Sequence, residues 1–180
     1  AVIDEAVLRV LRRKIEYATR PDPMAYTASL VRAPEHAALA REVAEKGAVL
    51  LKNDGGLLPL DEAALRSVAV LGRLADAPNL GDYGSSRVYP PDTVTVVEGL
   101  REALGAGRVV HEPGTDLAKA RAAARAASVV VIVAGFDGSD EGEYIPEKPN
   151  KEEWGGDRED LALKPADREL ILAAAAENPR

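Results

Sequence analysis

The chain has no cysteine, one methionine, one tryptophan, one phenylalanine and two histidines in 180 residues. Without thiols there is no disulfide framework and no thiolate metal site, although the compartment stays open. His36 and His111 lie far apart with no spacing that suggests shared ligation, so nothing calls for a metal or a cofactor. Long apolar runs are also missing. None approaches the roughly 20 residues that span a bilayer, and the opening "AVIDEAVLRV" places Asp4, Glu5 and Arg9 where a signal peptide would be continuously apolar. A soluble chain that neither crosses a membrane nor begins with a leader is therefore expected. There is no excess of positive charge either: 23 Lys and Arg against 30 Asp and Glu give a formal net charge of -7. Nucleic acid is a poor partner for such a surface, since phosphate binding needs clustered Lys and Arg.

What is present is unevenly spread. Residues 136 to 160 hold ten acids (Asp137, Asp140, Glu141, Glu143, Glu147, Glu152, Glu153, Asp157, Glu159 and Asp160) against Lys148, Lys151 and Arg158, which leaves the rest of the chain formally neutral. The aromatic residues cluster too. Tyr83 and Tyr89 fall in a Gly- and Pro-rich segment, and Phe136, Tyr144 and Trp154 in the acidic one. Rings in loops either serve recognition or pin the loop to the body of the domain. The periodic segments are filled instead by Ala, Val and Leu.

Periodicity sorts the chain into elements. Val7, Leu8, Leu11 and Ile15 predict a helix from an N-cap at Asp4 to about Thr19, stopped by "RPDP". "PEHAALAREVAEKG" predicts a second helix, with Pro34 in its first turn and Gly47 at its end. From Arg66 onward, strands and helices alternate: "SVAVLG" (67 to 72), "RVVH" (108 to 111) and "SVVVIVAG" (128 to 135) are strands, while 94 to 105, 116 to 127 and 165 to 178 are helices. Continuously apolar strands separated by helices mean a parallel sheet covered on both faces, an α/β/α sandwich. Two long loops, 73 to 93 and 135 to 164, leave the carboxyl ends of strands, where open parallel sheets place their ligands. A last helix followed by "NPR" should feed another strand, so the sandwich is read as incomplete and the chain as part of a longer protein, with an uncovered sheet edge.

The acidic loop invites three readings. Asp137, Ser139 and Glu141 fall where an EF-hand has its early ligands, but Lys148 stands where that loop needs a bidentate Glu, so calcium is disfavoured. A solvated acidic face is the plain alternative. The third reading is carbohydrate chemistry: carboxylates accept hydroxyl hydrogen bonds, rings such as Tyr144 and Trp154 stack on a sugar's C–H face, and glycosidic cleavage needs two carboxyls. Like charges packed into 140 to 143 would raise one another's pKa, as a general acid requires.

Several stretches resemble one family. "AREVAEKGAVLLKNDGGLLPL" (40 to 60) is similar to the segment joining the two domains of glycoside hydrolase family 3, where a helix runs into a "VLLKN" strand. "GSDEGEYI" (138 to 145) with "GGDREDLAL" (155 to 163) resembles the loop of its second domain that carries the acid/base glutamate. "VEGLREALG" resembles the first sheet helix, and "VIDEAVLRVLRRK" the closing helix of the preceding (β/α)8 barrel. The resemblance implies a barrel helix at 1 to 19, a joining segment at 20 to 65 and a partial C-terminal sandwich at 66 to 180. It implies a retaining, exo-acting β-glycosidase of the glucosidase or xylosidase type, acting on a β-linked oligosaccharide or glycoside. The missing N-terminal barrel would supply the nucleophilic Asp, so this chain alone should be inactive. Glu143 is the implied acid/base, with Glu141 as the fallback; Ser85 would hydrogen-bond the sugar, and Asp157 and Arg158 would fix the loop. One departure is Lys164, inserted in "LKPADR" with Arg168 at a position the family gives to Gln, a change expected to affect helix docking only. The competing class is a noncatalytic carbohydrate-binding or protein-interaction module that keeps the loop as a solvated face.

Overall fold

The computed structural model describes residues 1–21, 26–80, 88–138, 140 and 161–180. It divides into two compact units, Ala1–Asn53 and Asp54–Arg180.

The first unit contains two helices, α1 (Val2–Ala18) and α2 (Pro34–Gly47), with a short 3-10 turn at Ala28–Leu30. Helix α1 starts earlier than expected: its N-cap is Ala1, and Asp4 lies in the first turn. Asp4 there faces the positive end of the helix dipole and accepts from the Ala1 ammonium at 3.0 Å, so it favours this start from N3. Helix α2 begins at Pro34, whose missing N–H costs nothing at that position. Neither helix buries a residue. The "VLLKN" strand implied by the resemblance is not formed: residues 48–53 have no regular structure, and Leu51 is 91% exposed. An extended apolar run becomes a strand only by ladder pairing, and among the described residues 48–53 belongs to no sheet.

The second unit is built on β1 (Val68–Leu71), β2 (Val109–Glu112) and β3 (Val129–Ile132), which form a parallel sheet in the order β2-β1-β3. Val68 is in register with Val109 on one side and Val129 on the other. Helices α3 (Val96–Leu104), α4 (Leu117–Ala126) and α5 (Pro165–Glu177) cover it. The strand period of two divides β1 between two cores. Val68 and Val70 pack with Val97, Val109, Val129 and Leu65, with Leu100 and Leu104 of α3 alongside. Ala69 and Leu71 pack on the opposite side with Ala120 and Ala124 of α4 and with Leu170 and Ala174 of α5. All four β1 residues are buried, as expected for a central strand covered on both faces.

The helix boundaries follow local chemistry. Thr95 caps α3 by accepting the Glu98 amide at 3.2 Å while Glu98 accepts the Thr95 amide at 2.8 Å, a reciprocal capping box. Gly105 ends that helix with φ 91°. Asp116 caps α4 by accepting from Ala118 and Lys119. At the end of α5, Asn178 donates to the carbonyls of Ala124 and Ala127 at 3.0 and 2.8 Å, closing the last turn of α4. The chain then reaches the outer side of β3, where the Val130 amide donates to the Arg180 carbonyl at 2.9 Å. The edge expected to be uncovered thus already carries one hydrogen bond of a further pairing.

Candidate functional site at the mouth of the sheet

After β1 the chain turns to β2 on one side, and after α4 it returns to β3 on the other. Between β1 and β3 the strand order reverses, and in open parallel sheets the crevice at such a reversal is where ligands bind. Both long loops leave from there.

Gly72 makes the two exits converge. Its φ is 112°, and a Cβ placed on it would lie 2.2 Å from the Val133 carbonyl oxygen, so only glycine lets the strand ends run this close. The Val133 amide donates to Leu71 O at 2.8 Å and the Gly72 amide to Glu112 O at 3.0 Å. The next residue, Arg73, is thereby aimed across the gap. Its guanidinium donates to the carboxylate of Asp137, to Gly135 O at 3.1 Å and to Asp140 Oδ2 at 3.2 Å. Asn79, further along the first loop, donates to Phe136 O at 2.8 Å. Asp167, buried in the first turn of α5, accepts the Gly135 amide at 3.3 Å. Asp140 closes the arrangement: its Oδ2 also accepts the Asp137 amide at 3.0 Å, its amide donates to Asp137 O at 2.9 Å, and Lys164 donates to its Oδ1.

The electrostatics differ from the sequence expectation at this residue. Burial pushes the Asp140 carboxyl up, but Lys164's hydrogen bond, the Asp137 amide and Lys164's charge together outweigh it and hold the carboxyl below its ordinary range. Repulsion from Asp137 works the other way and does not prevail. Asp140 is thus kept ionised and fully partnered, which suits an anchor and not a proton donor. For Arg73, burial lowers the pKa, but the hydrogen bond and charge of Asp137 leave it raised. Asp137, an early ligand in the calcium reading, is spent on Arg73 instead. Lys164 corrects a second expectation: beyond its N-cap position on α5 it reaches Asp140, so the inserted residue touches the acidic loop itself.

Ser85, Glu141, Glu143, Tyr144, Trp154, Asp157 and Arg158 lie outside the described residues. Each histidine has a backbone carbonyl beside its ring. His36 Nδ1 is 2.9 Å from Leu30 O, and His111 Nε2 is 3.4 Å from Gly72 O. A cleft of about 890 Å³ lies at the opposite, amino end of the sheet, between residues 54–67, the end of α4 and Asn178–Arg180. Arg73, Asn79 and Asp167 were not singled out from sequence. The one available signal was an Arg directly after a strand-ending Gly, opposite a strand whose exit is acidic.

Residues 48–180 match the glycosyl hydrolase family 3 C-terminal domain. The chain belongs to glycosyl hydrolase family 3. Among family relatives, a β-xylosidase of Formosa agariphila is 32% identical over 95% of this chain and 24% of its own length. β-D-xylosidase 3 of Arabidopsis thaliana is 36% identical over 78% of this chain and 18% of its own. The solved structure of a β-glucosidase from Erythrobacter marinus superposes with a TM-score of 0.68 at 28% identity, over 83% of this chain and 23% of that one. The chain therefore spans at most about a quarter of the length of these family members.

Proposed function

We propose that this chain is the part of a retaining, exo-acting β-glycosidase, of β-glucosidase or β-xylosidase type, that supplies the acid/base residue. Residues 1–19 are then the last helix of a (β/α)8 barrel, 20–65 the joining segment and 66–180 the sandwich. The observation that supports this most is the position of Asp140. It opens the sequence Asp140-Glu141-Gly142-Glu143 and is held at the strand-order reversal of the sheet, in a chain of this family.

In this reading Glu143 protonates the leaving glycosidic oxygen while an Asp of the barrel attacks the anomeric carbon. Glu143 then takes a proton from the water that hydrolyses the glycosyl-enzyme. Asp140, paired on both oxygens, serves as an anchor, and the acid/base is Glu143, as the family resemblance implies, with Glu141 as the fallback. Ser85, Tyr144 and Trp154 contact the sugar. Retention requires the two carboxyls about 5 Å apart, so the 180-residue chain by itself hydrolyses no aryl β-glycoside.

The test is Glu143→Ala in the complete enzyme. Loss of a general acid/base costs about 10²–10⁴-fold, and it should fall hardest on substrates with poor leaving groups. Azide, which needs no base, should restore turnover and yield the β-glycosyl azide. Rescue in Glu141→Ala instead would move the role two residues back. Rescue in neither would leave a noncatalytic loop, and turnover by the isolated chain would show the nucleophile to be misplaced.

A further inference from the structure

Asp140 and Lys164 stand at either end of the stretch 141 to 163, and their side chains are joined. The bond is one side of a ring of contacts. Arg73, at the exit of β1, grips Asp140, Asp137 and the Gly135 carbonyl at the exit of β3. Asp167, three residues after Lys164, takes the Gly135 amide. Three elements thus meet around one carboxylate, and both oxygens of Asp140 are occupied, Oδ1 by Lys164 and Oδ2 by Arg73 and the Asp137 amide.

An isolated ion pair on the surface would deserve little weight. This one differs in three respects. The Asp140 side chain is only 14% exposed. Two cations from different elements converge on it, so ordering one partner already orders the other. And the joined residues are far apart in sequence but adjacent at the neck of the segment, so their pairing fixes both its departure and its return.

We propose that Lys164 and Arg73 are positioning residues of the glycosidase reaction: by holding the two oxygens of Asp140 they set the point and direction from which the segment bearing Glu143 leaves the sheet. Neither touches substrate. The inference rests on the acid/base reading above, because only a proton donor three residues beyond Asp140 makes that direction matter to chemistry. A misplacement of about 1 Å at a reacting group can cost about a hundredfold in rate, which is the scale on which such a neck would be felt.

The experiment compares Lys164→Met and Lys164→Arg with wild type in the complete enzyme, using aryl β-glycosides of good and poor leaving group. Amide exchange at Asp137 and Asp140 is followed in parallel. For Lys164→Met, kcat/KM on the poor leaving group, which reports glycosylation, should fall about ten- to a hundredfold, with kcat/KM on the good leaving group within about twofold. Exchange at the two amides should quicken. Lys164→Arg should restore both readings, since it keeps a cation within reach. Equal loss of kcat/KM on both substrates, unchanged kcat/KM on both, or unaltered exchange would overturn the proposal. Glu143→Ala with azide, run beside these, separates the two ideas. Azide rescue with an indifferent Lys164→Met leaves the acid/base reading standing and removes the positioning role. Absence of rescue removes the acid/base reading, and with it any catalytic purpose for the neck.

Discussion

Gly72 and Asp140 show how single residues set the mouth of the sheet. Any side chain at Gly72 meets the Val133 carbonyl while also adopting a φ that L-residues avoid, and main chain cannot step aside as a flexible side chain can. Gly72→Ala should therefore cost about 2–4 kcal/mol, read as a lowered urea midpoint at unchanged slope. Asp140 makes a prediction about pH. Its folded pKa lies below the unfolded value, so its contribution is present above about pH 4 and disappears as pH falls through the folded pKa. Glu177 is depressed in the same sense, chiefly by its hydrogen bond from Arg125, so wild-type acid sensitivity has more than one source. The difference between wild type and Asp140→Asn isolates one of them. It should be about 1–2 kcal/mol near neutrality, the low side for charged hydrogen bonds because Lys164 is 35% exposed, should shrink in urea titrations below about pH 4, and should vanish only below the folded pKa. A gap that persisted in acid would mean that the Asn side chain fits poorly for reasons unrelated to charge. The acids of 140 to 143 were visible as a cluster in the sequence. What local reading could not supply was that Arg73 and Lys164, 67 residues before and 24 after, neutralise the first of them. Proximity along the chain suggested repulsion; the fold turned it into attachment.

At the level of elements, alternation of apolar strands and helices was enough to place all three strands and the helices packed on them, because a buried parallel strand and an amphipathic helix leave different patterns. The errors fall where pairing decides. The run 48–53 is as apolar as a strand and is not one, and the terminal Arg180 makes a strand-like bond that no local pattern announces. Alanine governs the α4–α5 contact. Ala120 and Ala124 face Leu170 and Ala174, so the two helices pack through small side chains against Ala69 and Leu71. Ala124→Leu should overpack this layer and destabilise by about 1–3 kcal/mol, visible as a lower melting temperature with the strands' circular dichroism intact below it. Ala122→Leu, on a half-turn not included in that core, should be nearly silent.

For the whole molecule, the contrast between the two units matters most. The second has two packed cores, whereas among the described residues of the first Ala33 alone is buried and Ile3, Leu8 and Ile15 are each at least 60% exposed. Exposed apolar residues at helical spacing promote association. The purified 180-residue chain should sediment as mixed oligomers at micromolar concentration, and Leu8→Glu with Ile15→Lys should shift it toward monomer without altering the melt of 54–180. A clean monomer before mutation would contradict this.

The order β2-β1-β3 also constrains how the fold is reached in time. Val68 pairs with Val109 and Val129, so the central strand is made first and must wait for α3 before β2 arrives and for α4 as well before β3 does. Parallel pairings between such distant residues spend loop-closure entropy before they return any contact, which places folding toward the slow side of small domains. During that wait the most deeply buried strand of the finished sheet has both hydrogen-bonding edges open. The tightly buried centre of the finished domain is thus its greatest exposure while the chain is being made, and the interval before β2 and β3 dock is when a chaperone would be of most use.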